Sequence, residues 1–151
     1  MRSRLLLTVR ALTFGALIFA VNSMADEESI SLEEHPSIQV LMAQEDAWNN
    51  GDLNGFMQGY WQSEALRFVG SESVTKGWEE TLARYELRYP NSETMGKLSF
   101  EVLELVPLQS EYLWMIGSWK LERSNDRPSG HFTLLWQLID DEWLIISDHS
   151  S

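Results

Sequence analysis

Hydrophobic residues in the first half of the chain recur at spacings of three and four, which is the period of a helix. A first helix is predicted from Pro36, since proline suits a first helical position, and its mostly apolar stripe consists of Ile38, Leu41, Met42, Glu45 and Trp48. A second, shorter helix capped by Asp52 is predicted from Leu53 to about Tyr60. Thr75 is expected to cap a third helix whose end is set by Pro90.

The pattern changes to alternation after the third helix, which predicts strands. A short strand at Leu66–Val69 and a polar loop at 71–76 come before that helix. Four longer strands follow it on short polar connections, so we expect an antiparallel meander of Leu98–Val106, Tyr112–Glu122, His131–Ile139 and Trp143–Ser150. This order indicates an α+β fold in which three N-terminal helices pack on one face of a curved antiparallel sheet.

The first 25 residues have the three parts of a secretory signal peptide. Arg2 and Arg4 form a basic start, residues 11–21 are apolar, and Ser23-Met24-Ala25 supplies a small-residue cleavage site. The apolar stretch of 11 residues is shorter than the roughly 20 that a membrane span needs. We therefore predict a signal peptide at 1–25, a flexible acidic arm at 26–35 and one globular domain at 36–151, in a protein that is periplasmic or secreted.

Charge and cysteine content exclude several classes of function. Three of the 11 basic residues lie in the predicted signal, which leaves 8 against 23 acidic residues and a formal net charge of −15 for residues 26–151. Such a domain repels nucleic acids and anionic lipids, so we expect no nucleic-acid partner and no membrane attachment after signal cleavage. The lack of cysteine excludes disulfides and thiolate sites. The histidines at 35, 131 and 149 do not have zinc-site spacing, so no metal and no cofactor is expected.

Four phrases that contain tryptophan resemble a known family pattern. They are Ala47-Trp48-Asn49-Asn50-Gly51-Asp52, Tyr60-Trp61, Gly77-Trp78 and the C-terminal WLIISDHS of Trp143–Ser150. Over residues 37–151 their order and spacing resemble the nuclear transport factor 2-like superfamily, and within it the SnoaL-like domains of unknown function. The resemblance implies a cone, in which a strongly bent sheet surrounds a cavity closed by helices, and a homodimer formed through the sheet. The superfamily includes ketosteroid isomerases, dehydratases, cyclases and non-catalytic association domains, so the fold alone does not determine the function.

Alternate residues of a strand share one face, which divides the last two strands into sets. Ser147 and His149 fall in one set and Asp148 in the other, so Asp148 and His149 cannot form an orienting pair in a flat strand. His131 and Thr133 share a face that mixes polar and apolar residues, as a cavity wall does. A simple hairpin across residues 140–142 would place Ile139 near Trp143, Gln137 near Ile145 and Thr133 near His149.

His149 is the main catalytic candidate of the sequence, with Ser147 beside it and Tyr85 on the third helix. A histidine gains or loses a proton near neutral pH, so His149 could act as a general base and Tyr85 or Ser147 as a hydrogen-bond donor. The alternative is that a backbone carbonyl satisfies the His149 ring, which then only fixes the C-terminal segment.

Carboxylates give a second catalytic hypothesis. A mechanism like that of ketosteroid isomerase needs a carboxylate base and a tyrosine or neutral acid inside the cavity. Asp46, Asp52, Glu79 and Glu80 are predicted at helix ends or on polar stripes, where capping and the helix dipole account for them.

Seven tryptophans in so short a chain favour an aromatic-lined cavity. The residues expected to bind a ligand there are Trp61, Trp78, Tyr85, Trp119, His131 and Thr133. Gly70 and Gly77 flank a polar loop that could form the rim.

We therefore expect an exported domain that binds a small apolar or aromatic molecule. As an enzyme it would perform proton-transfer chemistry such as isomerisation, dehydration or cyclisation. The alternative is a non-catalytic protein–protein interaction module that uses the outer face of the sheet. A pocket with convergent polar groups favours the first hypothesis, and a large apolar patch on the outer face favours the second.

Overall fold

The computed structural model describes residues 34–151. The predicted signal peptide at 1–25 and residues 26–33 of the predicted arm lie outside the described residues. Four helices are present in the described part: Pro36–Asn49 (α1), Leu53–Met57 (α2), Trp78–Arg88 (α3) and Ser92–Met95 (α4). Its six strands are Arg67–Val69 (β1), Val74–Lys76 (β2), Lys97–Gln109 (β3), Tyr112–Glu122 (β4), Ser129–Ile139 (β5) and Glu142–Ser150 (β6).

The strands form one six-stranded sheet in the order β2-β1-β6-β5-β4-β3. The predicted meander of β3 to β6 is confirmed, because each of these strands pairs antiparallel with the next. The predicted antiparallel sheet needs one correction, since β1 pairs parallel with β6. No hairpin turn joins these two strands, so chain connectivity does not set their relative direction. The α+β fold class is confirmed, with a mixed sheet.

The β5–β6 hairpin differs by one residue from the predicted register near its turn and agrees with that register from Leu135 onward. Asp140 and Asp141 form a two-residue turn at φ 50° and 66°, so Ile139 pairs with Glu142, one residue before the predicted partner. Trp136 then pairs with Ile145 but Leu135 pairs with Ser147, which leaves Ile146 as the extra residue of a β-bulge. The bulge cancels the shift. The predicted pairing of Thr133 with His149 is therefore confirmed, while Ile139–Trp143 and Gln137–Ile145 were wrong by one residue.

Helix α1 begins at Pro36 as predicted, but its buried face is rotated slightly from the predicted stripe. Ser37, Leu41, Gln44 and Trp48 are buried, whereas Met42 is 56% exposed. Gln44 can occupy the interior because its side-chain amide donates a hydrogen bond to the Phe56 carbonyl at 2.9 Å. The side chain of Asp52 caps α2 through the Gly55 N–H at 2.8 Å, as predicted.

Helix α3 begins later than the sequence indicates. Thr75 lies in strand β2 and does not cap the helix; Gly77, at φ 92°, occupies the N-cap position. The indole N–H of Trp78 donates to the Met57 carbonyl at 2.9 Å, which ties the start of α3 to the end of α2. These helices cover one face of the sheet, here called the inner face, and the opposite face is called the outer face.

Candidate functional site

A carboxylate lies on the inner face of the sheet, in a row of apolar side chains. Asp148 of β6 pairs with Phe68 of β1 on one side and with Leu134 of β5 on the other. All three side chains are buried, and Asp148 is only 3% exposed. A buried carboxylate needs hydrogen-bond partners.

Two hydroxyl groups supply these partners. The Tyr60 hydroxyl donates to Oδ2 of Asp148 at 2.7 Å, and the Ser150 hydroxyl donates to Oδ1 at 2.7 Å. Tyr60 follows α2 and is held against β6 by an isolated parallel bridge to Ile145. Each carboxylate oxygen keeps a further lone pair, so the group can still accept a proton.

Burial dominates the protonation behaviour of this pair. Burial raises the pKa of Asp148 to about 6, although the hydrogen bonds from Tyr60 and Ser150 and the charge of His149 act to lower it. Burial and the neighbouring Asp148 charge hold the pKa of Tyr60 well above its usual value. Asp148 is thus an ionisable base near neutral pH, and Tyr60 remains a proton donor in its hydrogen bond.

The carboxylate opens onto a cavity of about 140 Å³ between the helices and the inner face. Its wall is mainly apolar and aromatic and includes Trp48, Phe56, Tyr85, Phe100, Trp119 and Phe132. Tyr85 contacts three of the surrounding rings edge-on, with centroid distances of 6.0 Å to Trp48, 5.2 Å to Phe56 and 5.7 Å to Phe68. Burial, followed by the Asp148 charge, raises the pKa of Tyr85, so this hydroxyl is also protonated.

The structure places two of the predicted ligand-binding residues, Tyr85 and Trp119, in the cavity wall. The Trp119 indole N–H is buried and has no hydrogen-bond partner among residues 34–151. Trp61 is half-buried and does not line this cavity; its backbone N–H donates to the Ile145 carbonyl at 2.9 Å. Trp78 is 8% exposed and belongs to the core beside the cavity. Of the two predicted rim glycines, Gly70 lines the cavity and Gly77 does not.

The predicted face of the histidine cluster requires correction. His149 and His131 are exposed, Ser147 and Thr133 are half-buried, and none of the four lines the cavity. On β5 the inner face carries Phe132 and Leu134, which puts His131 and Thr133 on the outer face. On β6 the bulge at Ile146 shifts the alternation, so Ile145 and Asp148 both face inward. The predicted chemical roles of His149 and Ser147 remain predictions about residues on the outer face.

Sequence reasoning missed Asp148 and Tyr60 as a pair. They are 88 positions apart in the chain, and the bulge that brings Asp148 inward leaves no local signal. A usable signal was present in β6, where Asp148 is the one acidic residue between Trp143 and Ser150 and follows shortly after the apolar residues 143–146. An ionisable residue within an apolar strand is a candidate for a perturbed site.

Within residues 34–151, no group of three or more histidine and carboxylate side chains converges in a way that could hold a metal ion. In the same part of the chain, no helix combines the length and apolarity needed to cross a membrane.

Replacing Asp148 with asparagine should stabilise the protein at high pH and not at low pH. The folded-state pKa of about 6 exceeds the reference value of 3.8, so the stability of the wild type falls as pH rises through this window and stays lower above it. An amide removes this penalty; its oxygen accepts from one of the two hydroxyls, and its NH₂ group donates to the oxygen of the other. We expect Asp148→Asn to gain about 2 to 3 kcal/mol at pH 8 and almost nothing at pH 4, from the pKa difference alone.

Urea unfolding at both pH values measures this difference, with exposed Asp46→Asn as the matched control for the loss of one charge. A loss of stability in Asp148→Asn at pH 8 would show that the ionised carboxylate is a structural requirement.

Comparison with known proteins identifies the family. No protein-family model and no curated protein matches the chain. Among solved structures, an NTF-2-like protein of unknown function from Shewanella oneidensis has 46% sequence identity, covers 76% of this chain and 94% of its own, and gives a TM-score of 0.73.

Two more distant structures show the same fold. An NTF2-like protein of unknown function from Pseudomonas putida has 16% identity over 75% of this chain and 81% of its own, with a TM-score of 0.59. A ketosteroid isomerase-like protein from Erwinia carotovora atroseptica has 13% identity over 80% and 96%, with a TM-score of 0.58. Given the cone-shaped architecture and the 46% identity to the Shewanella protein, this chain belongs to the nuclear transport factor 2-like family.

Proposed function

We propose that this chain is an exported, SnoaL-like domain that binds a small aromatic or apolar molecule and transfers a proton on it without a metal or organic cofactor. The observation that carries the proposal is the buried Asp148 carboxylate, hydrogen-bonded to Tyr60 at the wall of an aromatic cavity. Perturbed ionisable groups in a cleft are candidates for catalysis. Export and the SnoaL-like branch are supported by the sequence features at residues 1–25 and 143–150.

The size of the cavity restricts the ligand. At about 140 Å³ it is close to the roughly 150 Å³ of an apolar cavity that binds benzene. A single ring or an equivalent branched chain therefore fits, whereas a fused four-ring steroid does not fit unless the helices move. The expected ligand is compact.

Asp148 is placed to act as the base. Its ionised oxygen takes a proton from a C–H group beside a carbonyl, and the C–H electron pair becomes the C=C bond of an enolate. The enolate oxygen can accept a hydrogen bond from the protonated hydroxyl of Tyr85, which lines the same cavity. When the ligand is a β,γ-unsaturated carbonyl compound the intermediate is a dienolate, and returning the proton from Asp148 to its γ-carbon moves the C=C bond and completes an isomerisation.

Tyr60 has a single hydroxyl proton, which it donates to ionised Asp148. Once Asp148 is protonated, it can donate to the Tyr60 oxygen instead. The Tyr60 hydroxyl can then donate a hydrogen bond to the ligand, which carries the negative charge at this stage.

The outer face supports a homodimer or another protein partner as a second candidate function. Val106 and Trp114 pair across β3 and β4, and Ile116 lies two residues further on the same face. All three are half-buried, and Trp114 and Ile116 lie outside the core cluster. A row of half-buried apolar side chains on the outer face of a sheet fits association with a second copy.

Binding of phenol tests the cavity. Phenol should raise the melting temperature and change tryptophan emission, because Trp48 and Trp119 line the cavity. Leu134→Phe fills part of the cavity and should weaken phenol binding by about tenfold or more, equivalent to about 1.4 kcal/mol. The matched control is Leu135→Phe, one residue along β5 on the outer face, which should bind phenol normally. Equal affinity in both variants would place phenol elsewhere.

Deuterium exchange tests proton transfer. In D₂O the protein should accelerate exchange of the α-protons of cyclohexanone, and the rate should rise as pH increases through about 6, where Asp148 ionises. Asp148→Asn should lower this rate by about 100-fold or more, as expected for loss of a general base. Proton NMR measures the exchange. If the wild-type protein exchanges the protons no faster than buffer alone, the catalytic part of the proposal is contradicted. The binding part is then judged from the phenol experiment.

Trp114→Glu tests association through the outer face. A charge at the centre of an apolar interface should convert a dimer to a monomer in sedimentation equilibrium, with phenol binding unchanged. A wild type that is monomeric at all concentrations would remove the homodimer from the proposal.

A further inference from the structure

Two arginines lie at the mouth of the cavity, on the side of α3. Arg84 and Arg88 both line the cavity and are four residues apart, so they project from neighbouring turns of one helix face. Arg84 is half-buried and Arg88 is exposed. The mouth is thus cationic, whereas residues 26–151 as a whole carry a formal net charge of −15.

These arginines have no carboxylate partner within residues 34–151. In this part of the chain the ion pairs are Lys120 with Glu122 and Arg123 with Asp126. The chain has 23 acidic residues, so unpaired arginines beside a cavity are not explained by a shortage of partners. Because neither Arg84 nor Arg88 forms an ion pair with a carboxylate in this part of the chain, both can bind an anion from solution.

The Arg84 guanidinium is held in place by its neighbours. One of its Nη atoms donates to the Ser73 hydroxyl at 2.6 Å, and the group lies over the Phe68 ring at 5.3 Å from the centroid. Gly70 makes room for it, since a Cβ there would lie 2.7 Å from the other Nη atom. Arg88 lies over the Tyr89 ring at 5.9 Å. Both guanidinium groups rest on aromatic faces and keep donors for a further ligand.

We propose that the ligand is a compact aromatic or apolar carboxylate, whose carboxylate group is bound by Arg84 and Arg88 at the mouth while its apolar body enters the cavity toward Asp148. This inference rests on the proposed function, because it uses the same cavity. The planar fork of arginine matches a carboxylate in two parallel hydrogen bonds. A singly charged ligand is favoured over a phosphate dianion because the surrounding negative field repels each charge.

The guanidinium charges also offset the ligand charge that Asp148 experiences. Arg84 lowers the pKa of Tyr85 and the Asp148 charge raises it, and all three residues line the same cavity. A ligand carboxylate paired with the arginines therefore repels ionised Asp148 less than an unpaired anion would.

Benzoate and benzamide form the test pair, since they have nearly the same shape and differ in charge. Titration of the purified protein, followed by tryptophan fluorescence and calorimetry, should show benzoate binding about tenfold or more tighter than benzamide, as expected for charge-assisted hydrogen bonds. Arg84→Gln and Arg88→Gln should each remove most of this preference and leave benzamide affinity unchanged. Arg127→Gln, in the exposed β4–β5 loop, removes the same charge and should retain the preference.

Gly70→Ala gives an independent variant that keeps both arginines. The new methyl group displaces the Arg84 guanidinium, so benzoate should bind several-fold more weakly and benzamide as before. Circular dichroism and melting temperature check that each variant is folded.

The possible failures are distinguishable. Equal affinity for benzoate and benzamide in the wild type, or an equal loss in Arg127→Gln, overturns the carboxylate proposal. If neither of these compounds binds while phenol does, the cavity function stands and the carboxylate class is wrong. If phenol also fails to bind, the proposed function is overturned together with this inference.

Discussion

The β-bulge at Ile146 decides which side chains of the last strand face the interior, and the candidate site depends on it. Without the extra residue, Ile145 and Asp148 would point to opposite faces, since they are three positions apart. With it, Ile145 enters the core and Asp148 reaches the cavity on the same face. The bulge also shifts the pairing of β5 with β6 by one residue. Ile139 pairs with Glu142 beside the tight turn at Asp140 and Asp141, and Thr133 pairs with His149 beyond the bulge.

A carboxylate so placed lowers the stability of the fold at neutral pH. Apolar neighbours on both sides of Asp148 exclude water, and the hydrogen bonds from Tyr60 and Ser150 only partly offset the loss of hydration. If this position had only a packing role, leucine or valine would be more favourable for folding than aspartate. A group that is unfavourable for folding, yet hydrogen-bonded at each oxygen and open to a cavity, fits a role in chemistry better than a role in packing.

Much of the fold could be predicted from the sequence because it is set by local signals. Pro36 marks the start of α1, Asp52 caps α2, and the short polar connections after Lys97 impose an antiparallel meander. The parallel pairing of β1 with β6 could not be predicted in this way, because it joins segments about 80 residues apart with no turn between them.

The candidate site was harder to predict because it depends on an irregularity within one strand and on a contact between distant parts of the chain. Alternation along a strand assigns faces only while the strand is regular, so the bulge at Ile146 reversed the assignment for His149 and Asp148. Tyr85 and Trp119 do lie in the cavity wall, because their position depends on the general arrangement of helix over sheet. Tyr60 lies between α2 and β1 and reaches Asp148 by a contact that no periodicity describes.

The proposed carboxylate ligand and the proposed base influence each other through charge. A bound anion disfavours ionisation of a nearby Asp148 and so raises its pKa further, whereas Arg84 and Arg88 neutralise most of that anion at the mouth. The net effect is the difference between these two contributions, so a bound ligand raises the pKa of Asp148 by less than an unpaired anion would. The arginine pair thus allows an anionic ligand to bind in an acidic domain, and it limits the rise in the Asp148 pKa that the ligand charge causes.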